Sequence, residues 1–389
     1  MRFAASVSTS ADVDQALDEL IEPVDGRVTP GMVDLATLFV TGHFEDDLPR
    51  IVDRVTGAFP HGVLLGCTAC GTIGAGREIE DGPSMALLAA SLPDVDVRPF
   101  HLDQEMLDQT ETVHDWERVV AVAPSSNPLF VALADPFRFA VHGFLDKLNE
   151  VFPAAPLVGG VASAGRQPKE NRLLCAGETY REGVVGVALT GAFTVDTVVS
   201  QGCRPIGRPF VITKGERNVI QEIGGQPALE QLHGVLVHLS KQDEALAKQS
   251  LFVGRVIDEY KESFDRGDFL IHNIIGVDRR SGAIAIAGHA RVGATVQFHV
   301  RDADSADEDL RKLLAGYAER DVRGAMLFGC NGRGTQMWDK PGHDIGVLGD
   351  VVGPVPTAGL FCGGEFGPVG GRNFVHGFTA SIALFRPPV

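Results

Sequence analysis

Two stretches of this chain carry the same order of apolar positions. Leu48, Ile51, Val52, Val55 and Phe59 recur as Val141, Phe144, Leu145, Leu148 and Phe152, a gapless shift of 93 that holds over residues 37–69 and 130–162. Offsets of 0, 3, 4, 7 and 11 put the five side chains on one helical stripe, and Pro60 and Pro153 follow to end the helix. Short apolar strands precede the stripes at 37–40 and 130–133, and strands ending in glycine follow at 63–66 and 157–159. A further strand comes after each, at 84–90 and 184–189, with a longer loop in the second copy. Right-handed crossovers make the first two strands of each unit parallel, and the third returns antiparallel. A looser third copy closes the chain: a strand at 325–328, a helix around 345–352, and strands at 358–361 and 378–384. Its shift of about 295 pairs Cys67 with Cys362.

Between the second and third copies lies a different block, with strands expected at 210–213, 269–275, 283–287 and 294–300. Helices are expected at 227–239 and from the capping box Ser305-Ala-Asp-Glu308. The fold class is therefore α/β, with mixed sheets built from repeated β-α-β-β units and helices packed on them. Two domains are expected, 1–222 (repeats at about 37–90 and 130–189) and 223–389 (third repeat at about 325–384), cut near Gly224-Gly225. In open sheets of this kind ligands bind beyond the carboxyl ends of the parallel strands. Those ends are Gly42-His43, Gly66-Cys67, Asp135-Pro136, Gly159-Gly160, Cys330-Asn331 and Cys362-Gly363, so the repeat directs the chemically rich segments to one edge.

Composition narrows the partners. A formal net charge of −17 over 389 residues makes nucleic acid and anionic membrane surfaces poor partners, since both require clustered positive charge. The N-terminus has no apolar run of signal length and no later run reaches the roughly 20 residues that span a bilayer, so a cytoplasmic protein is expected. Six cysteines in so long a chain do not make a disulfide framework.

The densest chemistry lies between Gly359 and Ser381, where a thiol, a carboxylate, a guanidinium and an imidazole are joined by glycines. Arg333, between glycines after a strand, offers a planar fork suited to a carboxylate, and Glu365 can accept from an ammonium group. Together they would complement a zwitterion such as an amino acid. Structural pairing is the plain alternative for each. Cys67-Thr-Ala-Cys70 has the spacing of redox and zinc sites, but no second pair completes a zinc site and the repeat places it in a turn. No metal site is expected. A nucleophilic Cys330 or Cys362 would need a base, for which His343 and His376 are candidates. His142, His233, His238, His272, His289 and His299 lie in apolar or helical contexts typical of structural residues. No GxxxxGK[ST] or GxSxG motif occurs, and the glycines at 363–371 lack the strand and helix of a dinucleotide site.

Five segments together resemble the FIST family: Leu64-Leu-Gly-Cys67-Thr-Ala-Cys-Gly71, Val158-Gly-Gly-Val-Ala-Ser163, 269–277, Phe328-Gly-Cys-Asn-Gly-Arg-Gly334 and the run 362–377. The resemblance spans a FIST N part at roughly 30–222 and a FIST C part at roughly 223–385. It implies a cytoplasmic sensory and signal-transduction module for small ligands, amino acids being the proposed class, which works through a signalling partner not visible in the sequence. Some bacterial relatives are described as haem-dependent nitric oxide sensors, which makes haem the one cofactor to consider, and eukaryotic relatives follow an F-box. Here Cys70 stands where the family has a small residue and Thr72 where it has an acidic one, which favours the third copy as the site.

The ligand set expected is Cys330, Asn331, Arg333, Cys362, Gly363, Gly364, Glu365, Arg372, Asn373 and His376, with Cys67, Thr68, Gly160 and Ser163 from the other copies. Binding rather than catalysis is expected. The alternatives are a haem sensor, a cysteine-dependent enzyme and an interaction scaffold.

Overall fold

The computed structural model describes residues 1–28 and 31–388. The chain opens with strand β1 (Arg2–Ser8), helix α1 (Val13–Asp25), β2 (Leu35–Thr41), α2 (Leu48–Ala58) and β3 (Val63–Ala69). A small hairpin, β4 (Thr72–Gly74) and β5 (Arg77–Ile79), and β6 (Met85–Ser91) complete this segment. The next repeats that order: β7 (Val95–Leu102), α3 (Gln104–Gln109), α4 (Val113–Val120), β8 (Leu129–Ala134), α5 (Val141–Val151), β9 (Leu157–Val161). Its hairpin is β10 (Leu173–Cys175) and β11 (Glu178–Tyr180), and β12 (Val184–Gly191) ends it. β13 (Thr194–Gln201) begins a third segment that is interrupted by β14 (Cys203–Glu216), β15 (Val219–Ile223), β16 (Gln226–Pro227), α6 (Ala228–Val237) and α7 (Lys241–Gln249). The interruption continues through β17 (Leu251–Val256), β18 (Phe269–Asp278), β19 (Ala283–Ile286) and β20 (Thr295–Arg301). The third segment then resumes with α8 (Ala303–Leu314), β21 (Gly324–Cys330), α9 (His343–Val352), β22 (Thr357–Cys362), hairpin β23 (Glu365–Val369) and β24 (Arg372–His376), and β25 (Thr379–Arg386).

Three sheets follow one strand order: β1-β6-β2-β3, β7-β12-β8-β9 and β13-β25-β21-β22. The parallel pairs are β2–β3, β8–β9 and β21–β22, each joined by a helix, and β6, β12 and β25 return antiparallel as the crossover rule requires. Each hairpin leaves its own sheet. β10 pairs with β3, β23 with β9 and β4 with β22, so the three sheets are tied in a ring.

The inner faces meet in one core that includes Phe39, Leu65 and Cys67 from the first sheet, Leu133 and Val158 from the second, and Phe328, Leu360 and Cys362 from the third. The outer faces are covered by helices: Leu48, Ile51, Val52 and Val55 of α2 on the first, Phe144, Leu145 and Leu148 of α5 on the second, and Ile345 and Leu348 of α9 on the third. Burial on both faces explains why β2 and β8 read as unbroken apolar runs.

The register of the third segment differs from the expected one. A Cβ at Gly66 would strike the Leu38 carbonyl, at Gly159 that of Ala132 and at Gly359 that of Leu327, so each second strand passes the first at a glycine. The hairpins agree, since Leu173 faces Cys67, Thr72 faces Leu360 and Glu365 faces Gly160. Cys67 therefore corresponds to Leu360 rather than Cys362. The shared thiols drew the sequence match, whereas the backbone aligns on the glycines.

By contacts the chain divides into one unit of residues 1–199, 310–375 and 379–389, and a second of 200–309 and 376–378. The expected cut after residue 222 falls inside β15. In the second unit β14 pairs along one part with β20 and along another with β15, which closes a ring of six antiparallel strands, β14-β20-β17-β18-β19-β15. Ile212, Ile284, Val296 and Phe298 pack in its core with Leu232 of α6. Ser305 lies inside α8 rather than at its start; its hydroxyl donates to the Asp302 carboxylate at 2.5 Å, and the Ala306 amide bonds the Asp302 carbonyl, so the helix begins earlier than the capping-box pattern predicts.

Candidate functional site

Beyond the carboxyl ends of β2 and β3 lies a cleft of about 420 Å³ lined by Thr41, Gly42, His43, Glu45, Thr68, Ala69, Cys70, Ala164, Gly165 and Glu170. Its floor is fixed by side chains that close the strand ends. Thr41 Oγ1 accepts from the Ser84 amide at 2.9 Å and lies 3.3 Å from His43 Nδ1. Thr68 Oγ1 accepts from the Arg172 amide at 2.9 Å. The Arg166 amide, at 2.7 Å, and the Gln167 amide, at 3.1 Å, donate to Glu170 and hold its carboxyl below the usual range. Glu45 pairs with Arg172 and walls both this cleft and a second hollow of about 440 Å³, whose rim carries Arg172, Thr179 and Arg181. One carboxylate thus stands between a hollow whose charged side chains are all carboxylates and one that holds two arginines beside Asp46.

A smaller hollow of about 170 Å³ opens on the same edge, lined by Cys70, Gly71, Glu80, Asp81, Asn331, Thr335, Gln336 and Phe361. Cys70 belongs to both the cleft and this hollow. Ser163 fastens it: the Ser163 hydroxyl donates to the Phe361 carbonyl at 2.5 Å, accepts from the Cys70 amide at 3.0 Å and lies 3.4 Å from the Cys70 sulfur. Burial raises the Cys70 thiol above its ordinary value, against the lowering effect of Ser163, so it is not an activated nucleophile.

The C-terminal candidates turn inward. Arg333 is fully buried and forms a two-pronged bond to Asp344, Nε to Oδ2 at 2.6 Å and a terminal nitrogen to Oδ1 at 2.7 Å. Its guanidinium lies over Trp338, 5.0 Å from the ring centre, and Trp338 stacks on His343 at 3.6 Å. Glu365 is also fully buried. Its Oε2 accepts from the Thr379 amide at 3.2 Å, the Cys330 thiol bonds it, and Oε1 has no partner. Burial pushes its carboxyl well above the ordinary value, against the lowering effect of the Thr379 amide and the Cys330 thiol. A fully buried carboxyl held by Thr379 and Cys330, and a guanidinium already committed to Asp344, do not together offer a clamp for a zwitterion, which removes the pairing read from the sequence.

The remaining candidates fall into two groups. Thr68, Ser163 and Asn331 stand on or beside the carboxyl-edge hollows. Cys67 and Cys362 are core residues whose thiols burial raises strongly, and Gly160 gives the Cys362 sulfur its space. Gly363 and Gly364 bond Val161 across the strands, and the buried Cys330 sulfur receives the Gly332 amide at 3.4 Å. Arg372 makes an exposed pair with Asp146 at 2.9 Å. Asn373 is a structural bracket: its Oδ1 accepts from the Leu157 amide at 2.8 Å and its Nδ2 donates to the Ala155 carbonyl at 2.9 Å. His376 is buried and groups with the second unit.

Glu45, Glu170, Arg172 and Arg181 escaped the sequence reading. The signal for Glu45 was its place three residues after the strand end Gly42, and for the others the longer loop of the second copy. Among the described residues no group of three His, Cys, Asp or Glu side chains could hold a metal ion, and no helix is long and apolar enough to cross a membrane.

The chain is thus an α/β protein with helices on the outer faces of mixed sheets and hollows at the ends of parallel strand pairs. It belongs to the FIST family: the FIST N domain matches residues 34–226 and the FIST C domain residues 228–368. Membership implies a sensory, signal-transducing role. An uncharacterised protein of Mycobacterium tuberculosis is 37% identical over 388 residues, covering 99% of this chain and 100% of that one. An uncharacterised Mycobacterium bovis protein is 36% identical over 388 residues, with 99% of each covered. Among solved structures, a cyanuric acid hydrolase from A. caulinodans aligns over 100% of this chain and 99% of its own at 10% identity and a TM-score of 0.37, too distant to carry an argument here.

Proposed function

We propose that this protein is a cytoplasmic sensor that binds an amino acid, or a similar small polar metabolite, at the carboxyl edge of β2 and β3. The observation that carries this reading is Glu45, which stands between a cleft whose charged side chains are carboxylates and a hollow where Arg181 lies beside Asp46 and the Glu45-bound Arg172. Among the described residues no lysine or arginine lines the cleft, so it favours the ammonium end of a ligand, and Arg181 in the hollow beyond Glu45 is the guanidinium that a carboxylate would meet. A volume of about 420 Å³ suits a small metabolite.

The cleft does not suit a porphyrin. Among the described residues His43 is its one imidazole, and Thr41, Glu45, Thr68 and Glu170 around it make polar walls where a macrocycle needs apolar ones. A thiol enzyme draws no support from Cys70 or Cys362, whose thiols burial pushes up.

Thermal shifts against amino acids, amines lacking a carboxylate, carboxylates lacking an amine, and haem test the reading, because a ligand that binds only the folded state raises its melting temperature. Stabilisation by amino acids above either half-molecule is the expected result. Stabilisation by haem with a Soret band, or by carboxylates alone, would overturn it.

A further inference from the structure

At the amino end of β22, opposite the carboxyl-edge hollows, lies a hollow of about 260 Å³ walled by Ile345, Leu348, Pro354, Val355 and Pro356. One side is α9, another the turn between β4 and β5, and a third the loop from α9 into β22. Among the described residues that line it, Thr357 and Arg27 carry the polar side chains and none carries a carboxylate. The Thr357 hydroxyl donates to the Val355 carbonyl at 2.8 Å, which leaves the exposed Arg27, just beyond α1, as the one charged group on an apolar hollow.

Hydrogen bonds fix its walls. The Ala75 amide donates to the Thr357 carbonyl at 3.0 Å and holds the hairpin turn against the start of β22. The Gly353 amide bonds the Gly349 carbonyl at 3.1 Å and the Val355 amide the Gly353 carbonyl at 2.8 Å, while Pro354 and Pro356 have no N–H to give. The loop into β22 therefore meets a ligand with apolar surface rather than donors. Gly349, inside α9, sets the space. Glycine within a helix is destabilising, and a Cβ at Gly349 would meet nothing within 4 Å, so no neighbour requires its side chain to be missing. What the missing side chain leaves open is the hollow.

We propose that this hollow is a second ligand site, for an apolar monocarboxylate whose tail lies against α9 and the proline loop and whose carboxylate pairs with Arg27. Size and charge select that class. An apolar cavity of about 150 Å³ takes benzene, so about 260 Å³ holds a ring or a short alkyl chain together with its head group. Arg27 presents the planar fork that a carboxylate matches, whereas a cationic head group would find no carboxylate to meet. The carboxyl-edge cleft has the reverse character, with polar walls and carboxylates, so the two sites take different chemistry and neither requires the other.

Isothermal titration of the full chain with phenylacetate, phenylacetamide and phenethylamine tests the site, in the wild type and in Arg27→Gln, Gly349→Leu and Arg181→Ala. The expected result is one phenylacetate per chain, bound about tenfold or more weaker in Arg27→Gln and not detectably in Gly349→Leu, with each analogue at least about tenfold weaker than phenylacetate. Gly349→Leu fills open space on a helix, so its melting temperature is expected at or above that of the wild type. Should it fail to fold, Arg27→Gln, at an exposed residue, decides alone. No phenylacetate binding, an affinity unchanged in Arg27→Gln or in folded Gly349→Leu, or either analogue binding as tightly as phenylacetate overturns the site. So does a loss confined to Arg181→Ala, which would assign the probe to the carboxyl edge. None of these outcomes depends on whether an amino acid binds there, so failure here and failure of the proposed function are told apart.

Discussion

Arg333 and Asp344 form a closed unit, with side chains 0% and 3% exposed and two parallel hydrogen bonds between them. A buried pair adds little over an apolar replacement of both partners, but losing one partner strands a charge in the core. Asp344→Asn is therefore expected to cost about 3–5 kcal/mol in urea unfolding, while the exposed pair at Arg372 should lose well under about 1 kcal/mol in Arg372→Ala. From sequence, a guanidinium among glycines suits a ligand and a partner equally well. What decides between them is the position of Asp344, eleven residues on, in a helix whose opening turn points back at the loop. Glu365 presents the same difficulty, because its burial depends on β23 leaving its own sheet to pair with β9.

At the scale of elements the chain was more legible. The stripes ending at Phe59 and Phe152 correspond to α2 and α5, and the flanking apolar runs to β2, β3, β8 and β9, since periods of 3.6 and unbroken apolar runs follow directly from which faces are buried. The exchanged hairpins left no such mark. Three residues per strand in the first two hairpins and five in the third are too few to carry a period, and their partners lie far along the chain. The glycines that set the register were present in the sequence, but their meaning comes from a neighbouring strand. Gly359→Ala would drive a Cβ into the Leu327 carbonyl and is expected to cost about 3 kcal/mol. Gly346→Ala, on the exposed face of α9 with open space around its Cβ, is expected to gain about 0.5–1 kcal/mol. Denaturant midpoints for the two variants, moving in opposite directions, check the register and the helix together.

For the molecule as a whole, pH acts on the two units with opposite signs. In the barrel, His299 is fully buried beside Phe269, with Nδ1 3.0 Å from the Gln297 carbonyl and Nε2 without a partner. Burial lowers it from 6.5 to about 4, so between those values the unfolded chain holds a proton that the folded chain lacks. Stability is then present above pH 6.5 and falls towards pH 4, by roughly 3 kcal/mol in total. Glu78 runs the other way, because its raised value makes stability fall as pH rises from 4.5 to about 7. His299→Gln should flatten the acid limb of the stability profile, measured by urea unfolding at a series of pH values, and leave the neutral limb unchanged.

The same scale holds the central claim, that Glu45 divides an ammonium pocket from a carboxylate pocket in a sensor of amino acids. Isothermal titration of the amino acid giving the largest thermal shift, into the wild type and into folded Glu45→Gln, Arg181→Ala and Arg372→Ala variants, tests it most directly. The account predicts that Glu45→Gln and Arg181→Ala each weaken binding tenfold or more, about 1.4 kcal/mol, while Arg372→Ala binds as the wild type does. Unchanged affinity in Glu45→Gln and Arg181→Ala, or a loss confined to Arg372→Ala, would contradict it.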